Sequence, residues 1–185
     1  MRLSLTAQQI DILFGKLNQE LARTSVRGEV YVVGGAVMCL ALNARAATRD
    51  VDALFRPAAE IRKAAETVAI HSGFDVPTDW LNDAVKGFLS PRGSFRDYRE
   101  MSNLRVMTAE PEYLLAMKCM SMRIGEESHD VDDTCFLLDH LGIGSYDEAL
   151  SVVAKYYPVE QLPQKTFYAL EEIITESGEE ESTPR

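Results

Sequence analysis

An α+β fold is what this sequence predicts, with a small sheet flanked by helices in the first half of the chain and helices in the second. Three observations carry that expectation. Two short runs rich in β-branched and aromatic residues, at 29–33 and 50–55, read as strands. Apolar residues at helical spacing bracket those runs. From Glu110 onward the chain turns helical, and four successive helical segments follow. The expected organisation is an α/β core over residues 1–108, a helical subdomain packed on it over 109–175, and a disordered acidic tail over 176–185.

Each element has its own signal. Thr6 and Gln9 make a capping box, and Ile10, Leu13, Phe14, Leu17 and Leu21 follow at helical spacing, so the first helix should end near Arg23. The run EVYVV at 29–33 is a buried strand that stops at the Gly34-Gly35 turn. AVMCLALN has no helix breaker, so a short helix should begin directly after the glycines. The second strand, 50–55, is closed by Pro57, and the Ala-rich stretch 58–71 is an amphipathic helix. Between Gly73 and Arg105, apolar islands at 80–82 and 87–89 alternate with Pro, Gly and Asp. A loop, a short helix and one or two strands are expected there, one of them at 104–107. Glu110-Pro111 then starts a helix with Pro in its first turn. A second helix spans 130–140 and ends at Gly142, and two more lie near 145–156 and 162–175.

Composition narrows the class. A hydrophobic share of 46% over 185 residues supports a real core. Cys39, Cys119 and Cys135 have no CxxC spacing and sit in apolar segments, which predicts reduced, buried thiols. The opening residues lack the apolar run of a signal peptide, and no stretch has the length of a membrane span, so a cytoplasmic protein without membrane contact is expected. A formal net charge of −10 repels nucleic acid at long range, although Arg92, Arg96, Arg99 and Arg105 would make a local basic patch if they clustered.

The chemistry concentrates on one compact unit: strand, Gly-Gly turn, helix, and a strand with Asp-x-Asp. Residues i and i+2 of a strand share a face, so Asp50 and Asp52 present two carboxylates side by side while Val51 points into the core. Paired carboxylates suit a hard divalent cation such as Mg²⁺ or Mn²⁺, which leaves coordination places for substrate phosphates. Gly34 and Gly35 offer backbone N–H groups with no side chain in the way. An Asp-x-Asp alone is more often a solvated pair; the combination is what points to a phosphate site. Arg49, beside the pair, either contacts phosphate or balances local charge.

The run VYVVGGAVMCLALNARAATRDVDALF resembles the signature of the DNA polymerase β-like nucleotidyltransferase superfamily. The later segments LRVMTAEPEYLLAMKCMSMR and HDVDDTCFLLDHLGI resemble its minimal members, including abortive-infection-type toxins of toxin–antitoxin pairs. The resemblance implies a small mixed sheet flanked by helices. It also implies metal binding at Asp50 and Asp52, nucleotide contacts at Gly34 and Gly35, and catalytic roles for Asp50, Asp52, Lys118 and Asp130 or Asp133. The implied substrate is a nucleoside triphosphate. The implied acceptor is an RNA end, a protein or a small molecule, and an antitoxin is the implied partner. Many members carry Ser where this chain has Gly35, and many carry a third carboxylate on a central strand, for which Asp97 and Glu100 are the local candidates.

Other residues have plainer readings. Lys118, taken without the resemblance, would snorkel its amine to solvent. Arg123 is expected in a surface salt bridge, and Trp80 in the core. His129, Cys135 and His140 match no zinc spacing. Two functions follow: a metal-dependent nucleotidyltransferase, or a catalytically inactive nucleotidyltransferase-like module that binds a partner.

Overall fold

The computed structural model describes residues 4–73, 75–123 and 129–181. Local chemistry fixes the first helix. Thr6 accepts from the Gln9 backbone N–H, the Gln9 side chain accepts from Thr6 in return, and α1 (Ala7–Arg23) follows. Its five apolar residues at helical spacing are all fully buried. β1 (Leu5–Thr6) precedes it, then come β2 (Gly28–Val32), α2 (Gly35–Leu40), β3 (Ala47–Thr48), β4 (Val51–Arg56) and α3 (Ala58–His71). β5 (Leu81–Asn82), a short 3₁₀ turn, β6 (Phe95–Glu100) and β7 (Leu104–Ala109) complete the strands. The helices α4 (Pro111–Ser121), α5 (Asp130–Leu141), α6 (Tyr146–Ala154) and α7 (Gln164–Glu181) close the chain. Among the described residues this is an α+β protein with a mixed five-stranded sheet and a two-stranded one.

The chain divides into two compact units. The first holds residues 1–87 and 95–109, and the second holds 88–94 and 110–185. In the first unit the sheet order is β5-β4-β2-β7-β6. β2 runs antiparallel to β4 and parallel to β7, β5 runs parallel to β4, and β6 runs antiparallel to β7. One sheet face is apolar and buried: Val30, Val32, Val51, Ala53, Phe55, Leu104 and Val106. α1 packs on β7 and on α3, and α3 packs on β4, which covers that face. Trp80 is fully buried beside Phe14 and donates its indole N–H to the Ala65 carbonyl at 3.1 Å, so it is a core residue. The opposite face carries the half-exposed Glu29, Tyr31, Asp52, Leu54 and Asn82.

In the second unit α4 is buried along seven consecutive residues from Tyr113 to Cys119. α5 packs on α4, and Thr166 of α7 donates to the Cys119 carbonyl at 2.8 Å. Burial pushes the Cys119 thiol up to about 12, so it is an inert packing group. Cys39 is likewise buried and Cys135 is half-buried, none of the three in a disulfide.

Four differences from the sequence expectation have physical causes. Residues 88–94 belong with the helices because Ser90 accepts no strand partner. Instead its N–H donates to the Tyr113 hydroxyl, its own hydroxyl donates to the Tyr156 carbonyl, and Tyr157 donates to the Phe88 carbonyl. α7 continues to Glu181, well into the stretch expected to be disordered, since Glu is a good helix former; residues 182–185 lie outside the described ones. The irregular region holds three strands rather than one or two, the third being the two-residue β5. Two of the four arginines considered as a basic patch are matched by acids: Arg99 pairs with Asp11 and Arg105 pairs with Asp97. No described helix is long and apolar enough to cross a membrane.

Candidate functional site

Strand pairing brings the acidic pair to the Gly-Gly bend. β2 and β4 are antiparallel with Val32 opposite Ala53, and the Val33 N–H donates to the Asp52 carbonyl at 2.9 Å. The end of β2 and the start of β4 are therefore side by side. A β-carbon at Gly34 would lie 3.3 Å from Asp52 Oδ2. The Asp52 carboxylate thus rests against the bend itself.

Asp50 is the residue before β4, which starts at Val51 rather than at residue 50 as expected; Val51 and Ala53 are buried on the core side, so Asp52 alternates to the other. Asn82 is the parallel partner of Asp52 and reaches Asp50 Oδ2 with its amide at 3.5 Å, a long contact that brings Asp50 near the start of β4 and β5. Val51 N–H donates to the Trp80 carbonyl at 2.7 Å, anchoring the start of β4.

Gly34 has φ 65° and ψ −147°, a conformation that only glycine adopts without strain. An alanine there would combine that strain with the close approach to Asp52. Gly34→Ala is expected to lower stability by about 1–3 kcal/mol. Thermal unfolding of the variant checks this, and an unchanged midpoint would contradict the backbone argument.

Gly35 is held without a side chain for a different reason. A β-carbon there would sit 2.9 Å from Thr48 Oγ1 and 3.0 Å from Arg45 Nη1, so a hydroxyl and a guanidinium already occupy that space. Thr48 is buried and donates to the Asp50 carbonyl at 3.3 Å. Arg45 is half-buried, whereas Arg49, the arginine suggested by the sequence, is exposed. The helix after the bend is only six residues long, shorter than AVMCLALN suggested, so its dipole adds little positive potential.

The third-carboxylate candidates lie elsewhere. Asp97 and Glu100 are both on β6, the edge strand, with β7 and β2 between it and β4. At about 4.8 Å per strand that is roughly 14 Å from Asp52. Asp97 is 65% exposed and pairs with Arg105. β7, the neighbour of β2, has no acid; Arg105 and Met107 face the same side as Tyr31. Among the described residues no group of three or more His, Cys, Asp or Glu side chains converges on a metal position.

A second charged cluster lies within the helical unit. Lys118 is 8% exposed and does not snorkel; its Nζ lies 2.7 Å from Asp130 Oδ1 and 2.7 Å from Asp133 Oδ2. Asp130 and Asp133 are 4% and 2% exposed, one helical turn apart on α5. Asp130 Oδ2 also accepts from the Arg123 backbone N–H at 3.0 Å, and the largely exposed Arg123 guanidinium adds a looser contact. Burial works to raise the Asp130 pKa, but hydrogen bonds and charge from Lys118 and Arg123 outweigh it and hold the carboxyl below its ordinary value. The cluster ties α4 to α5 and holds the Lys118 ammonium in one place.

The structure therefore gathers Gly34, Gly35, Asp50 and Asp52 in the first unit, and Lys118, Asp130 and Asp133 in the second. Sequence reasoning missed Arg45, Thr48 and Asn82. A signal existed for the first two, since a Gly at position 35 leaves space that a neighbouring side chain can fill. None existed for Asn82, because a two-residue strand has no periodicity to read.

The chain matches no protein-family model, no curated protein and no solved structure.

Proposed function

We propose that this chain is a nucleotidyltransferase, moving a nucleoside monophosphate from a nucleoside triphosphate to an acceptor hydroxyl on an RNA end, a protein or a small molecule. The observation that carries the reading is the Asp52 carboxylate against Gly34, with Asp50 two residues before it and in reach of Asn82, the strand partner of Asp52. The sequence resemblance and the antiparallel strand–bend–helix–strand unit support it.

Two carboxylates, with no third ligand side chain among the described residues, fit Mg²⁺ or Mn²⁺, which binds through one or two carboxylates plus substrate phosphates. Asp50 and Asp52 would hold the ion, which when bound neutralises phosphate charge and polarises the reacting phosphoryl group. The bare backbone at Gly34 lets a phosphate approach the carboxylates without a side chain between them. In the transfer, the acceptor oxygen bonds to the α-phosphorus as the α–β bridging P–O bond breaks. Pyrophosphate leaves with the bonding pair, and the hydroxyl proton passes to water. The resemblance assigns Lys118 a catalytic role, and within the helical unit Asp130 and Asp133 hold its ammonium. In the toxin-type form of this reading the partner is an antitoxin protein.

The acid-free β7 favours the second reading, an inactive module that binds nucleotide or a protein without transfer. Pyrophosphate release from the four Mg-NTPs in the presence of RNA separates the two. The enzyme reading predicts release with at least one nucleotide and none in Asp52→Asn. Nucleotide binding with no release from any NTP or acceptor would favour the module.

A further inference from the structure

The geometry points to Arg45 as the phosphate-anchoring residue at the Gly34-Gly35 bend, selecting ligands that carry a di- or triphosphate chain. This rests on the nucleotidyltransferase reading and assigns its substrate contact. The Asp52 carboxylate closes on Gly34, and the Arg45 guanidinium closes on Gly35, where a β-carbon would be 3.0 Å from Nη1. A carboxylate and a guanidinium thus border adjacent residues of one bend.

A cation at the bend favours a polyphosphate there. The chain has a formal net charge of −10, and Asp50 and Asp52 add two local negative charges. A polyphosphate approaching them meets repulsion that one divalent ion offsets only in part. The six-residue α2 contributes little dipole, and Arg49 is exposed. Arg45 is half-buried, and its Nη1 and the buried Thr48 Oγ1 both border Gly35. Guanidinium matches two phosphate oxygens at once, which favours a polyphosphate over a monophosphate. Gly35 completes the arrangement, because a β-carbon there would clash with Thr48 Oγ1 and press against Arg45 Nη1.

Calorimetric titration with inorganic tripolyphosphate in Mg²⁺, and separately with Mn²⁺ alone, tests the assignment on wild type, Arg45→Gln, Arg45→Lys and Gly35→Ala. Arg45→Gln should weaken tripolyphosphate binding at least tenfold, and Arg45→Lys should recover part of it. Gly35→Ala should reproduce the loss by moving the guanidinium with Arg45 itself intact, while Mn²⁺ alone binds all four proteins alike. Wild-type tripolyphosphate affinity in Arg45→Gln overturns the inference and leaves the transferase reading standing. Loss of Mn²⁺ binding in Arg45→Gln overturns it too, by making Arg45 a support of the acidic pair. A wild type that binds neither probe defeats the transferase reading itself.

Discussion

Lys118→Met is expected to destabilise the helical unit by about 3–5 kcal/mol, since removing one partner of a buried ion pair leaves uncompensated charge behind. That is a large part of the 5–15 kcal/mol, roughly, that holds a typical domain folded. Here the remaining charges are two carboxylates, Asp130 and Asp133, at 4% and 2% exposure and one turn apart. Arg123 offsets little of this because its side chain is 79% exposed. Urea unfolding followed by circular dichroism checks the value, and a loss under about 1 kcal/mol would contradict the buried-cluster account. The same cluster sets an acid limit. The folded-state pKa of Asp130 is lowered, so its contribution is complete above the unfolded-chain value of about 3.9 and is lost as pH falls through the lower folded value. Asp130→Asn should therefore flatten the fall in stability below about pH 4, a difference that parallel acid titrations of the two proteins detect.

Asp52→Asn is expected to leave the fold intact and to reduce nucleotidyl transfer at least about 100-fold, the scale of losing several kcal/mol of metal-assisted stabilisation. Asp52 is half-exposed on the face of β4 opposite the buried Val51 and Ala53, and an amide preserves its shape against Gly34. The amide is a poorer ligand for a hard cation because it carries no charge. A variant with wild-type thermal stability and undiminished transfer would remove Asp52 from the chemistry.

The legible parts of the fold are those set by neighbours in sequence. α1 is readable because Thr6, Gln9 and five apolar residues fall within one helix, and α3 because Pro57 and a uniform Ala-rich stretch bound it. The second strand is readable from its β-branched run to within one residue, since β4 covers Val51–Arg56 rather than 50–55, and alternation places Asp52 opposite the buried Val51. Long-range pairing is not readable. β2 takes the distant β7 as its parallel neighbour, and residues 88–94 join the helices through Tyr113, Tyr156 and Tyr157. The arginine at the bend is missed for a related reason. α2 stops at Leu40, and the chain turns through Asn43 with φ 52°, which carries Arg45 back toward Gly35. Asn tolerates that left-handed conformation, but its presence does not announce it. Lys118 in an apolar helix suggested a snorkelling amine, whereas the acids that hold it lie on the next helix at a spacing whose partner the sequence does not specify.

The most direct measurement is calorimetric titration of Mg-NTP into the wild-type chain and into Asp52→Asn, each repeated with the metal removed by EDTA. The account predicts saturable binding to the wild type that requires the divalent ion and is absent from the variant. Binding of equal affinity in both proteins, or binding indifferent to EDTA, would contradict a nucleotide site built on the carboxylate that meets the Gly34-Gly35 bend.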